Sequence, residues 1–270
     1  VLHQVESCYD AIPQSPGVRV EEYGPLRLFV REGPGWPFYA RPAAPGVVVS
    51  AQDVLAVRAR MRELAVPEAF EWVHELVPTL DAAAREAGLQ VRLCPLLVLD
   101  GEPAAEAVPD GVRTELLDGA DAAALAAARA VAALAFGHTG HAAAGAGPAE
   151  REAETARIDP EQVHQLAEAI RSGRSEQAVA HLDAVPTLAG VLATGGLQHA
   201  RGIAELVGIA TLPTARQRGL AVAVTVTLAR QARERGLGTV FLSAADEEAA
   251  RIYHRAGFRR RGTAGLAEPA

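Results

Sequence analysis

A chain of 270 residues is long enough for two domains of ordinary size, and with 49% hydrophobic residues it can bury a sizeable core. No apolar run approaches the roughly 20 residues of a membrane span, which excludes a membrane-spanning helix. A net charge of −7 argues against nucleic acid as a main partner, because phosphate binding wants a basic surface. Cys8 and Cys94 are isolated, too few for a disulfide framework and without metal-ligand spacing. The start of the chain lacks the basic and apolar regions of a signal peptide. The reading is a cytoplasmic protein with reduced thiols and no membrane partner. All of its basic residues are Arg, and with the abundance of Ala this points to a GC-rich, bacterial genome.

Val18 to Glu22 and Leu26 to Arg31 alternate as half-buried strands do. Trp36, Phe38 and Trp72 are expected in the core of this first unit. Ser50, with Asp53 three residues on, caps a helix that runs to about Leu64 and is stopped by Pro67. A strand follows from Ala69 to His74, then a short helix from Thr79 to Ala87 that ends at Gly88. Gln90 to Leu99 is a strand whose Pro95 points to an edge or a bulge. The Pro-marked, polar stretch 101–110 reads as a linker.

Beyond it, Val112 to Leu117 is a strand, and Asp118 or Asp121 caps an Ala-rich helix from about Ala122 to Ala135. The stretch 137–147, with His138 and His141, reads as a mobile loop over a site, and no metal is expected there. Asp159 and Pro160 start a helix to Arg171. Gln177 to Asp183 and Thr187 to Ala193 are expected as a strand pair. Ile203 to Leu212 is the next strand. It leads through a turn into a helix from about Gly219 to Arg235. Thr239 to Ser243, a helix capped by Asp246 and ended by Gly257, and a strand from Phe258 to Ala267 complete the chain. The series of helix, strand and helix from about Arg58 to Leu89 is repeated from about Ala229 to Phe258, so two related units lie one after the other.

The chemistry gathers at Arg216-Gln217-Arg218-Gly219-Leu220-Ala221. Strand, turn, helix is an anion-binding order: N–H groups at the helix start carry partial positive charge and point outward. Gly219 removes a side chain where a ligand must come close. Arg216 and Arg218 add charged donors. The stretch is neither a P-loop nor a dinucleotide fingerprint, lacking both the Gly-Lys-Ser/Thr and the further glycines.

These residues resemble the acyl-CoA motif Arg/Gln-x-x-Gly-x-Gly/Ala of the GNAT superfamily of N-acetyltransferases. Ala250-Arg251-Ile252-Tyr253-His254-Arg255-Ala256-Gly257-Phe258 resembles a second motif of that superfamily, Ala-x-x-Tyr-x-x-x-Gly-Phe. The resemblance covers about residues 110–268. The first unit resembles the same fold in weakened form, without the phosphate motif and with Ala84 where Tyr253 would stand. It reads as a degenerate copy without a cofactor site.

The resemblance implies roles. Backbone N–H groups near Ile209, Ala210 and Thr211 would bind the thioester carbonyl of acetyl-CoA and stabilise the charge that develops on it, worth about 3 kcal/mol for one well-aimed donor. Those of Gln217 to Ala221 would hold the pyrophosphate. Ser243 would approach the CoA arm, or serve near the next helix start. Tyr253 would protonate the departing thiolate. Glu205, in the apolar run Ile203-Ala204-Glu205-Leu206-Val207, shares a face with Val207 and Ile209 by alternation. It is the candidate base, or a contact for a cationic substrate, or a partner of Arg201.

The expected fold is α/β, more strictly α+β: two GNAT-like units, each a mixed, largely antiparallel sheet flanked by helices, over residues 1–107 and 108–270. The implied function is transfer of an acetyl group from acetyl-CoA to an amine by direct attack, without a covalent enzyme intermediate. A small-molecule amine is favoured over a protein substrate, since a second domain can wall off a pocket and an acidic protein attracts a cation. Monomer and homodimer both remain open. Alternatives are another acyl-CoA or an aminoacyl-tRNA as donor, or a non-catalytic acyl-CoA-binding module.

Overall fold

The structure, a computed structural model, describes all residues except 15–16, 33–38, 105–109, 139, 141 and 183–189. It divides into two compact units: Val1–Val98 with Phe241–Ala250 and Arg260–Ala270, and Leu99–Val240 with Arg251–Arg259. The expected boundary at 107/108 falls on residues outside those described, as do Trp36 and Phe38.

In the first unit, α1 (Leu2–Ala11) precedes the hairpin β1 (Val18–Tyr23) and β2 (Leu26–Arg31), then β3 (Ala40–Pro42), α2 (Ala51–Glu63), β4 (Phe70–Val73), α3 (Thr79–Glu86) and β5 (Gln90–Leu99). Two later strands belong with these: β10 (Thr239–Ser243) and β11 (Phe258–Glu268). β11 pairs antiparallel with β4, and β10 antiparallel with β5. The two similar series of elements therefore exchange strands, the last strand of each lying on the earlier strand of the other. This is why the unit is discontinuous in sequence. β3 pairs parallel with β4, so the sheet is mixed. β5 lies between β11 and β10, so Pro95 does not mark an edge; its carbonyl accepts from Ala244 just past the end of β10, where no donor is asked of it.

The core of this unit is apolar and built on Leu26, Leu28, Val54, Met61, Phe70, Trp72 and Leu80. Trp72 is fully buried as expected, and it stands directly opposite Gly265 across the β4·β11 ladder. A Cβ at Gly265 would lie 2.3 Å from the indole, so only glycine leaves room for that ring.

Helix α1 was not legible in the sequence. It carries Glu6 and Tyr9 into a buried cluster around Arg41, whose guanidinium is fully buried and bonds Glu6 at 3.2 Å and Glu71 at 3.2 Å. Arg41 also lies 4.5 Å above the Tyr9 ring. Burial alone would lower the Arg41 pKa, but the two carboxylates outweigh it and hold it above its usual range.

The second unit is a four-stranded antiparallel sheet of β6 (Val112–Leu117), β7 (Ser175–Leu182), β8 (Ala193–Ala200) and β9 (Ile203–Thr211), in that order. Helices α4 (Ala122–Gly137), α5 (Pro148–Thr155), α6 (Pro160–Arg171) and α7 (Leu220–Glu234) pack about it, followed by α8 (Glu247–Arg255), at which the two units divide. Asp121, Asp159 and Asp246 cap α4, α6 and α8 through their carboxylates. Asp118 instead accepts from Ala120 in the turn before α4.

The strand expected at Thr187 to Ala193 is misplaced: β8 begins at Ala193, and 187–189 lie outside the described residues. Its Gly195-Gly196 pair looks like a turn, but Gly195 is a packing requirement. A Cβ there would come within 2.9 Å of Val224 and 3.2 Å of Leu228, both on α7. The strand gives up a side chain so that α7 can lie close.

Candidate functional site

Strand β9 holds the first part of the site. Along the β8·β9 ladder Thr194 faces Ala210 and Gly196 faces Val207. One residue, Gly195, therefore opposes two, Gly208 and Ile209. That is a β-bulge, and Gly208 supplies the left-handed backbone at φ +61°. The bulge corrects one expectation: Ile209 does not share the Glu205 face. Its side chain crosses to the α7 side, within 3.1 Å of where a Gly195 Cβ would be, because the extra residue reverses the alternation. Ala210 continues the Glu205 face instead. Ile209, Ala210 and Thr211 thus lie at and just beyond the one place where the ladder is broken.

The chain then passes through a single 3₁₀ turn, Pro213–Ala215, into the motif. Gln217 has φ +64° and Gly219 has φ +78°. Alternating left-handed residues turn successive N–H groups toward one side, a concavity suited to an anion. Helix α7 has Gly219 at its N-cap, no side-chain cap and no acid in its first turn. Its first N–H with a backbone acceptor is that of Ala223, on Gly219. The preceding donors of Leu220, Ala221 and Val222 are those that a helix start leaves without intrahelical partners. Gln217 and Arg218 are exposed, and Leu220 is buried beneath them.

Arg216 is placed differently from what its charge led one to expect. Its guanidinium donates to the carbonyls of Gly140 at 2.6 Å, Ala135 at 3.0 Å and His138 at 3.3 Å. It closes the C-terminal end of α4, where a cation meets the negative end of the helix dipole. A second tie, Thr214 N–H to the Ala146 carbonyl at 3.2 Å, fastens the end of the same loop to the same turn. The loop expected to be mobile is therefore anchored at both ends, while His141 lies outside the described residues.

Glu205 is buried at 7% exposure in β9. Its direct cross-strand partner is Gln198, whose Nε2 donates to Glu205 Oε2 at 2.7 Å. Both point away from α7, because three residues separate Gln198 from Gly195 on a regular strand. Tyr253 stands half-buried on α8 in the second unit, while Ser243 ends β10 in the first. The cap of α8 is Asp246, so that duty does not fall to Ser243. Among the described residues no three His, Cys, Asp or Glu side chains gather at metal-binding range, and no helix is long and apolar enough to cross a membrane.

A bulged strand, a turn with left-handed Gln217 and Gly219, and an uncapped helix, in a sheet flanked by helices, can now be set beside known proteins. Over its full length the chain superimposes on a GCN5-related N-acetyltransferase from Kribbella flavida, covering 96% of that chain at a TM-score of 0.74 and 24% identity. It has the GNAT fold. A GCN5-related N-acetyltransferase from Sphaerobacter thermophilus aligns over 98% of this chain and 90% of its own, at a TM-score of 0.58 and 17% identity. A tandem GNAT protein from the clavulanic acid biosynthesis pathway aligns over 96% and 87%, at 0.56 and 17%. Residues 186–265 match the family model described as FR47-like protein. No curated protein matches the chain.

The expected GNAT resemblance and the mixed α/β fold class are borne out. The FR47-like match takes in β9, the motif turn, α7 and α8, and with them every residue singled out for the site. Within this GNAT fold, sequence reasoning missed Gln198. Its position opposite Glu205 depends on the register of a strand that had been placed six to seven residues too early. A hairpin signal was available: Arg201 and Gly202, both at positive φ, form the tight turn that fixes that register.

Proposed function

We propose that this protein is an N-acetyltransferase that moves an acetyl group from acetyl-CoA to an amine by direct attack. The observation that carries the proposal is the open start of α7 directly after the bulged β9. An unpartnered helix start with left-handed Gln217 and Gly219 fits a doubly charged pyrophosphate. The N–H groups of Gln217, Arg218, Gly219, Leu220 and Ala221 would hold it, and those at Ile209, Ala210 and Thr211 would receive the acyl arm. The bound acetyl-CoA supplies the activated acyl group. The side chain of Arg216 contributes by shaping the turn rather than by touching phosphate.

An alkylamine of pKa near ~10.4 is mostly charged at neutral pH, so its proton must leave before attack. Glu205 is the proposed acceptor of that proton, and its negative charge also attracts the ammonium. Tyr253 is proposed to return a proton to the departing thiolate. A small cationic amine fits an acidic protein of this kind. The first unit is read as a degenerate copy that carries no acyl-CoA site.

Thermal shift and calorimetry with acetyl-CoA, followed by acetylation assays on a panel of amines, test the proposal. Binding with turnover on at least one amine is expected. Binding without turnover on any amine would favour an acyl-CoA-binding module, and absence of binding would sink the reading altogether.

A further inference from the structure

We infer that Arg216 is a positioning residue for the acceptor side of the site. It ties the loop after α4 to the turn of the proposed acyl-CoA cradle, and so governs how the amine is bound more than how the donor is bound. The inference rests on the proposed acetyl transfer and adds a residue to it.

Arg216 belongs to two parts of the second unit at once. Its backbone is in the turn between β9 and α7, next to the N–H groups of Gln217 to Ala221. Its side chain leaves that turn and donates to the carbonyls of Gly140 at 2.6 Å, Ala135 at 3.0 Å and His138 at 3.3 Å. Carbonyls at a helix end lack intrahelical donors, and a planar guanidinium can bond several of them together.

The fit continues along the loop. Thr214 N–H donates to the Ala146 carbonyl at 3.2 Å. Gly145 has φ +104°, and a Cβ there would come within 2.9 Å of the His138 ring and 3.7 Å of Pro213. A Cβ at Gly147 would lie 3.2 Å from the Thr214 hydroxyl. The turn also has supports of its own. The N–H groups of Ala215 and Arg216 bond back to the carbonyls of Leu212 at 2.7 Å and Pro213 at 3.3 Å, and Leu212, Pro213, Ala215 and Leu220 are buried. Loss of the guanidinium should therefore reach the loop before it reaches the cradle.

The loop stands on the side from which an amine would come. Helix α7 packs across β6, β7, β8 and β9 on one face of the sheet. Helix α4 packs on β8 and β9 as well, but its main helix neighbours among the described residues are α5 and α6. It therefore covers the opposite face, the one that carries Glu205. The end of α4 meets the chain just past β9, beyond Ile209, Ala210 and Thr211. On the proposed reading, an amine that reaches the acyl group from the Glu205 face passes this loop.

The test compares Arg216→Leu, Arg216→Gln and Gly145→Ala with wild type. Each is measured for acetyl-CoA affinity by calorimetry, for amine KM and kcat at saturating acetyl-CoA, and for amide hydrogen exchange in 142–147. In Arg216→Leu the lost charged donors should raise the amine KM about 10- to 100-fold and speed exchange in 142–147, with acetyl-CoA Kd within about threefold of wild type. Arg216→Gln keeps one amide donor and should recover part of the amine affinity. Gly145→Ala strains the loop without touching the guanidinium and should also raise the amine KM. In Arg216→Leu, an acetyl-CoA Kd about 10-fold higher with the amine KM unchanged would make the guanidinium a phosphate contact and overturn the inference. So would equal losses for donor and acceptor, the mark of a purely structural role, or wild-type values for both. Unchanged exchange in 142–147 would overturn the tie alone, since that readout needs no ligand. Should wild type neither bind acetyl-CoA nor acetylate any amine, the proposed function falls and this inference with it. Circular dichroism of each variant confirms folding.

Discussion

Helices α2 and α7 are each followed by a strand, a helix and a further strand, yet they begin in opposite ways. At the start of α2 the Ser50 hydroxyl accepts from Asp53 N–H, and the Asp53 carboxylate takes back the Ser50 N–H at 2.9 Å. Two of the free donors are consumed, and a negative charge stands in the first turn. At the start of α7 there is a left-handed glycine, no cap and no acid. A helix N-terminus attracts anions only where its own chain leaves it open. One chain holds both versions, and the difference lies in a handful of side chains.

Buried charge differs between the units in the same way. In the first, Glu6 and Glu71 share one arginine, which ties them into the structure. In the second, the buried Glu205 carboxylate accepts from the neutral Gln198 amide across the ladder. Two carboxylates on one guanidinium leave an excess negative charge. Burial pushes the Glu71 carboxyl up, against the pull of Arg41.

The largest expected effect is on that cluster. Arg41→Ala strands two buried carboxylates and should cost about 3–5 kcal/mol of stability in denaturant titration. A loss below about 1 kcal/mol would show that the cluster is not structural. Because the Glu71 value is raised in the folded state, its contribution is present at low pH and lost as pH climbs through that raised value. Glu71→Gln should flatten this part of the pH–stability curve, and an unchanged curve would mean that another group titrates there.

Next in size is Gly219→Glu. It places a side chain on left-handed backbone and a carboxylate in the proposed phosphate cradle, and should weaken acetyl-CoA binding by at least about 100-fold. Retained affinity would remove the cradle assignment. Tyr253→Phe should lower kcat by about 10- to 100-fold while leaving acetyl-CoA affinity nearly unaltered. Unchanged turnover would take Tyr253 out of the mechanism. Ser50→Ala should be the smallest, about 1 kcal/mol of stability from a lost cap, with no change in acetyl-CoA affinity. A fall in affinity would mean that the first unit takes part in binding after all.

Much of this was legible because it is local. The Ser50–Asp53 cap, the Asp246 cap and the strand–turn–helix order around Gly219 are written in neighbouring residues and recur in the structure nearly residue for residue. What could not be read is held by distant partners. Helix α1 has no side-chain cap and is fixed by burying Val5, Cys8 and Tyr9 and by the pairing of Glu6 with Arg41. Strand β8 was obscured by Gly195-Gly196, whose reason lies in Val224 and Leu228. Arg216 looked like a ligand contact because its three carbonyl partners are some eighty residues away, at and just past the end of α4. Even the face of Ile209 was misjudged, since a single extra residue at Gly208 inverts the alternation that follows.

Calorimetric titration of the whole chain with acetyl-CoA tests the central claim, that one helix start binds and its counterpart does not. The account predicts one site per chain, abolished by Gly219→Glu and untouched by Ser50→Ala. Two sites per chain, or one site that survives Gly219→Glu, would contradict it.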